Sequence, residues 1–188
     1  CDVWRRLSTA GMVLLGHTHT HEFAAGGTTD QVGNPWALDR TAGGSSGGSG
    51  AALAARVVPA ATGTDTAGSL RIPAALCGIS TIKPTRGLVS TSGVVPQAPT
   101  LDHCGPMARS VADCAVLLAA MAGPDLTDPT TAFARLMTAD RNGHVVSGRP
   151  LAGVRLAISP RVVDHSVHDD VRDGFNRVVN ICRELGGT

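Results

Sequence analysis

The sequence predicts an α/β fold with a mixed, largely parallel sheet. Short apolar segments with strand character alternate with helical ones between residues 11 and 185, the order that builds βαβ units. A length of 188 residues, 43% of them hydrophobic and 16% charged, suits one globular domain burying roughly 70% of its unfolded surface.

The apolar run 11–15 (GMVLL) ends at Gly16 and reads as a buried strand. Residues 22–27 suit a short helical turn, and Asn34-Pro35 marks a loop. After the Gly/Ser run 43–50, Ser49 is placed to cap an Ala-rich helix reaching about Arg56. Residues 57–62 read as a buried strand, 63–68 as a turn, and a short helix begins at Ser69 and runs towards Cys77. Residues 79–82 and 88–89 read as strands around the Lys83-Pro84 break. Residues 110–121 form the clearest amphipathic helix, with Val111, Ala115, Leu118 and Ala119 at helical spacing. Its start, Ser110-Val111-Ala112-Asp113, fits an S-x-x-D variant of the capping box. Residues 126–150 read as a connection, 154–158 as a strand, and 171–185 as a helix ending at Gly186-Gly187.

The balance of 16 basic and 15 acidic residues, with no basic run, points away from nucleic acid as a direct partner. Five scattered cysteines without a CxxC pair suggest reduced thiols in the cytoplasm, not a zinc ribbon or a disulfide framework. No apolar run approaches the ~20 residues of a spanning helix, and no signal peptide opens the chain, so no membrane partner is expected. The chain begins at Cys1 without Met, as a segment of a longer protein would.

The run GGSSGGSG at 43–50 is no ordinary linker, because segments with strand and helix character lie directly on both sides. It lacks the lysine of a P-loop. Residues 44–48 match the G-x-S-x-G elbow of α/β-hydrolases, with Ser46 as nucleophile. The elbow needs an apolar strand before it, whereas Asp39-Arg40-Thr41-Ala42 is polar turn sequence.

Taken together, residues 43–49 (GGSSGGS) and 63–74 (GTDTAGSLRIPA) closely resemble the amidase-signature family. Agreement extends through Gly16, His21-Glu22-Phe23-Ala24, Asn34-Pro35-Trp36, Cys77-Gly78, Lys83-Pro84-Thr85 and residues 105–109 (GPMAR). It covers about residues 10–125 and is weaker beyond them. The resemblance implies an α/β/α sandwich, incomplete in this chain, with 1–188 a partial domain, 10–125 its active-site core and 151–188 a further strand and helix. It implies a Ser–Ser–Lys arrangement with Ser69 as acylated nucleophile and Ser45 as bridging serine behind a cis Gly44–Ser45 peptide. The N–H groups of Thr66, Ala67, Gly68 and Ser69 would form the oxyanion hole. These roles agree with elementary chemistry: a glycine-containing turn at a helix start aims several N–H groups at one point, and a serine needs a relay to a base. Ala67 stands where the family often has glycine.

The departure is the lysine. The single lysine, Lys83, belongs to the downstream Lys-Pro-Thr motif, and none precedes Ser45. The expectation is that the base lies upstream of these residues and that substrate-pocket elements lie downstream of them. His17, His19 and His21 alternate, and could share one face as metal ligands in an extended segment, but the resemblance makes them a connection at the active-site rim. Asp65 and Arg71 are expected to pair across the nucleophile turn, Cys77 to be a buried small residue, and Trp36 to pack in its loop. No cofactor or metal is implied. The leading function is hydrolysis of a small-molecule carboxamide through an acyl-enzyme. Its alternatives are the glutaminase subunit of a tRNA-dependent amidotransferase and a non-catalytic paralogue. The partners to expect are a second copy of the chain or another component of an amidotransferase.

Overall fold

The computed structural model describes residues 1–134, 150–159 and 166–188. They belong to two compact units, Cys1–Arg141 and Asn142–Thr188. The first unit opens with helix α1 (Asp2–Thr9), a 3-10 turn (Glu22–Ala24) and the strands β1 (Gly33–Asn34) and β2 (Ala37–Thr41). Helix α2 (Gly47–Ala54), strand β3 (Ala60–Asp65), helix α3 (Arg71–Cys77), strand β4 (Ser80–Thr81), strand β5 (His103–Ala108), helix α4 (Val111–Met121) and a 3-10 turn (Pro129–Thr131) follow.

The α/β architecture stands, but every described strand pair is antiparallel. The order β3-β5-β4 explains the difference. Strands β3 and β4, joined through α3, both run against β5 and hence parallel to each other. They form the crossover that the strand–helix–strand alternation implies, with β5 inserted between them from far along the chain. Local alternation carries no trace of such an insertion.

Strand β5 alternates between two cores, as the period of two requires. Cys104 and Ala108 enter a cluster with Val3 and Leu7 of α1 and Cys114, Leu117 and Met121 of α4. Met107, on the opposite face, packs with Leu53 of α2 and with Leu70. The sheet is therefore covered by α1 and α4 on one side and by α2 and α3 on the other, the three-layer arrangement expected. Asn34 and Trp36 dock the β1–β2 turn onto the end of α3: Asn34 Nδ2 donates to Leu76 O (2.8 Å) and Trp36 Nε1 to Cys77 O (2.8 Å).

Several local expectations need correction. Residues 11–15 form no strand, and Val13 is 79% exposed, because an apolar run becomes a strand only where a ladder partner exists. Strand β3 starts at Ala60, past Pro59, which has no N–H for a ladder, and it takes in residues 63–65, expected as turn, which pair with residues 103–105 of β5. Helix α2 starts at Gly47, so Ser49 lies inside its first turn and donates to Thr62 O at 2.9 Å. The inward face of α4 is Cys114, Leu117 and Met121, while Val111 is exposed; the helix is apolar nearly all round, so periodicity alone could not choose the face. Helix α1 adds an element that the sequence pattern does not announce. Its Asp2 carboxylate pairs with Arg5 and Arg6, and Arg6 reaches Ala122 O (3.2 Å) and Pro124 O (2.6 Å) beyond α4.

In the second unit, helix α5 (Asp169–Glu184) ends in a Schellman motif: Gly186 N–H donates to Arg183 O (2.9 Å) and Gly187 N–H to Cys182 O (2.9 Å). Residues 154–158 are no strand of a sheet. They exchange backbone bonds with the chain end, Leu156 N–H to Thr188 O at 2.6 Å and Thr188 N–H to Val154 O at 3.1 Å. Most of the expected connection 126–150 lies outside the described residues.

Ser110 caps α4 as expected, accepting from Asp113 N–H at 3.1 Å. Ser110→Ala is expected to lower stability by about 1 kcal/mol, and Ser110→Asp to recover most of it, in denaturant titration. Equal stability of all three proteins would remove the cap's role.

Candidate active site

The Gly/Ser loop leaves β2 through Gly43 (φ 79°) and a cis Gly44–Ser45 peptide. It is gripped from outside by Thr29, whose sequence context gives no sign of that role, and by the histidine segment expected at the rim. Thr29 Oγ1 donates to Ser45 O (3.2 Å) and accepts from Gly47 N–H (3.2 Å). His21 N–H donates to Ser45 O (3.1 Å), and Gly48 N–H donates to His19 O (3.0 Å). The histidine segment thus acts through its backbone, as a connection at the rim of the loop. Its approach requires glycine: a Cβ at Gly48 would lie 2.5 Å from His19 O, and one at Gly44 2.3 Å from Thr28 O.

Ser46 is already engaged. Its Oγ accepts from Thr64 N–H (3.2 Å) and donates to Thr64 O (3.3 Å), which locks the loop onto β3. A hydroxyl held on both sides by a strand backbone is poorly free to attack anything, which argues against the elbow reading.

The second half of the site follows β3. Asp65, its last residue, turns a buried carboxylate (side chain 1% exposed) back under the turn. It accepts from Gly68 N–H (2.9 Å), Leu70 N–H (3.2 Å), Arg71 Nε (3.0 Å) and Arg71 Nη2 (2.9 Å). Burial is the largest single influence on this carboxylate and would raise its pKa, but the Arg71 and backbone bonds together outweigh it and hold it below the usual aspartate value. The turn brings Ser69 to the surface of an open cleft of about 150 Å³, walled by residues 24–27, Ala67, Ile72 and Gln97. Gly68 sits at φ 140°, a conformation side-chain-bearing residues avoid.

The two halves meet through Ser46 N–H, which donates to Ser69 O at 3.3 Å. Ser45 and Ser69 are both buried, 1% and 8% exposed. Among the described residues no hydrogen bond joins their hydroxyls; such contacts are often long in a free enzyme and tighten with substrate. Of the turn's N–H groups, that of Gly68 is engaged by Asp65, while those of Ala67 and Ser69 make no hydrogen bond among the described residues.

Lys83 Nζ donates to Pro84 O (3.1 Å) and lies 3.3 Å from His103 Nε2. Cys77 is fully buried, and burial raises its thiol pKa. Burial, with the nearby Asp102 and Asp128 carboxylates, pushes Cys104 up to about 12. Such thiols are inert structural residues. A larger cavity, about 220 Å³, lies between Arg86, Thr91, Asp102 and Asp128 and touches neither Ser45 nor Ser69. Among the described residues no cluster of three or more His, Cys, Asp or Glu could hold a metal, and no helix is long and apolar enough to cross a membrane.

The Amidase family model matches residues 1–188, the whole chain. This chain belongs to the amidase family. The A subunit of the glutamyl-tRNA(Gln) amidotransferase of Burkholderia thailandensis is 45% identical to it over 97% of the chain and 39% of the relative. The corresponding A subunit from Thermotoga maritima superposes with a TM-score of 0.86 at 36% identity, covering 100% of this chain and 41% of that one. The peptide amidase of Stenotrophomonas maltophilia gives 0.78 at 33% identity, covering 100% and 40%. This amidase-family chain thus spans about two fifths of the length of the relatives it matches.

Asp65 carries a prediction with a definite sign. Its folded-state pKa is depressed, so its contribution to stability is present above the ordinary aspartate pKa and is lost as pH falls through the folded value. Asp65→Asn is expected to cost roughly 2–3 kcal/mol at neutral pH, because bonds to a charged acceptor are weakened or lost. The cost should shrink towards pH 3 in urea titrations at stepped pH. A cost independent of pH would show that the charge is immaterial.

Proposed function

We propose that the protein containing this chain hydrolyses carboxamides through a serine acyl-enzyme, with Ser69 as nucleophile and Ser45 as proton relay. The observation that carries the reading is the backbone junction at Ser46 N–H and Ser69 O, 3.3 Å, which joins two segments distant in sequence beside an open cleft. Ser69 Oγ attacks the amide carbonyl and passes its proton through Ser45 towards a base. The oxyanion forms at the turn Thr66, Ala67, Gly68 and Ser69, where the Ala67 and Ser69 N–H groups are free donors among the described residues. The proton returns through Ser45 to the amide nitrogen, the neutral amine leaves, and water releases the acyl group from Ser69. In the family arrangement the base is a lysine upstream of the Gly/Ser loop. Lys83 is engaged with Pro84 and His103 and is not assigned that role.

A second reading, the glutaminase subunit of a tRNA-dependent amidotransferase, is favoured by the 45% identity to the Burkholderia amidotransferase protein. In that case the ammonia passes to a partner subunit. Turnover of glutamine against simple aliphatic and peptide amides, with and without that partner, separates the two.

In the full-length protein, Ser69→Ala is expected to lower kcat by roughly 10⁴-fold or more, and Ser45→Ala by less, since water can replace a relay. Peptide mapping after a slowly deacylating ester should place the acyl group on Ser69. An adduct on Ser46 would restore the elbow mechanism. No adduct in a protein without amidase activity would make it a non-catalytic paralogue.

A further inference from the structure

Asp102 stands one residue before β5, outside the motifs singled out from sequence. Its carboxylate accepts from Thr66 Oγ1–H of the distant nucleophile turn and, within its own loop, from Gln97 N–H at 2.9 Å and Ala98 N–H at 3.0 Å. Thr66 begins the turn whose next three residues include the free N–H groups of Ala67 and Ser69, and Gln97 is part of the wall of the Ser69 cleft. We propose that Asp102 is a positioning residue that ties the oxyanion turn to the cleft wall, so that one carboxylate sets the height of the donors and the place of Gln97 together.

The inference rests on the reading of Ser69 as nucleophile. Two carboxylates divide the turn between them. Asp65 holds its far end, at Gly68, Leu70 and Arg71, and Asp102 holds its near end at Thr66. Between these anchors lie Ala67 and Ser69. Strand β3 already fixes the backbone that enters the turn, so what the Thr66–Asp102 bond adds is the placement of the turn against the 97–102 loop, and small misplacements of oxyanion donors are costly in rate. Burial is the largest influence on the Asp102 carboxylate and pushes its pKa up, but the bonds from Thr66, Ala98 and Gln97 bring it below the usual range, so it is the charged form that holds the segments. Gln97 carries a side-chain amide, a donor and an acceptor matching a carboxamide's own C=O and N–H.

The test uses the full-length protein, with active sites counted by a fluorophosphonate that labels the nucleophilic serine. Asp102→Asn is expected to lower kcat per labelled site by about tenfold, less than loss of a whole oxyanion donor, and to raise KM as the Gln97 wall shifts. Thr66→Val, which removes only the tethering hydroxyl, should lower kcat by a similar factor with KM held. Thr66→Ser, which keeps the hydroxyl, should lose at least about fivefold less. The double variant Asp102→Asn/Thr66→Val should be no slower than Asp102→Asn alone, as for two ends of one tether. Additive losses, or equal kcat in Thr66→Val and Thr66→Ser, would overturn the tether. The second criterion holds even if Asp102→Asn fails to fold. Absence of any label on wild-type Ser69 would instead remove the acyl-enzyme reading, and the positioning role with it.

Discussion

Asp65 is where the rest of the site takes its shape. A carboxylate at the end of a laddered strand, opposite His103, cannot move without the sheet. From that fixed point it accepts from two backbone N–H groups of the following turn and from the fork of Arg71. The turn is thus referenced to the strand through charge-assisted bonds, stronger than neutral ones and geometrically definite. Arg71 is more than half exposed, so it adds charge and direction at little desolvation cost, while the buried partner is satisfied on every side. With the Thr66–Asp102 bond, a turn held in this way keeps the Ala67 and Ser69 N–H groups in fixed directions, as the proposed oxyanion hole requires.

The second constraint is thinness. Gly63 and Gly105 face each other in the β3–β5 ladder. A Cβ on Gly63 would meet Ser46 Oγ at 2.6 Å, and one on Gly105 would meet Leu70 Cδ1 at 2.5 Å. The absence of side chains there lets the Gly/Ser loop and the nucleophile turn settle onto the same patch of sheet. Helix α2 is weakened in return, since glycine in a helix is worth about 1 kcal/mol less than alanine, and α2 begins Gly-Gly-Ser-Gly. That helix survives by burial: Gly47, Gly48, Ser49, Gly50 and Leu53 are all buried.

The kinship to amidotransferase subunits and peptide amidases is thus expressed in a physical design of two loops pinned to one strand pair. Ser46 and Asp65 do the pinning, and neither needs to touch substrate. The neighbouring hydroxyls, Ser45 and Ser69, remain unpinned by any side-chain bond among the described residues, which the proposed roles of nucleophile and relay require.

Features that depend on near neighbours are legible in the residues alone. The turn after Asp65, the pairing of Asp65 with Arg71, the Ser110 cap, the helix stop at Gly186-Gly187 and the cis Gly44–Ser45 peptide all involve residues a few positions apart, or a motif specific enough to name its family. Features that depend on partners far along the chain arise only when the layers pack. Packing inserted β5 between β3 and β4, left residues 11–15 without a ladder, chose which face of the nearly all-apolar α4 turns inward, and brought Thr29 against the Gly/Ser loop. Asp102 belongs to the same class, because nothing in the residues around it shows that its carboxylate will reach Thr66. Strand order and side-chain tethers between distant segments are set by how whole layers pack, and spacing along one segment holds no record of that.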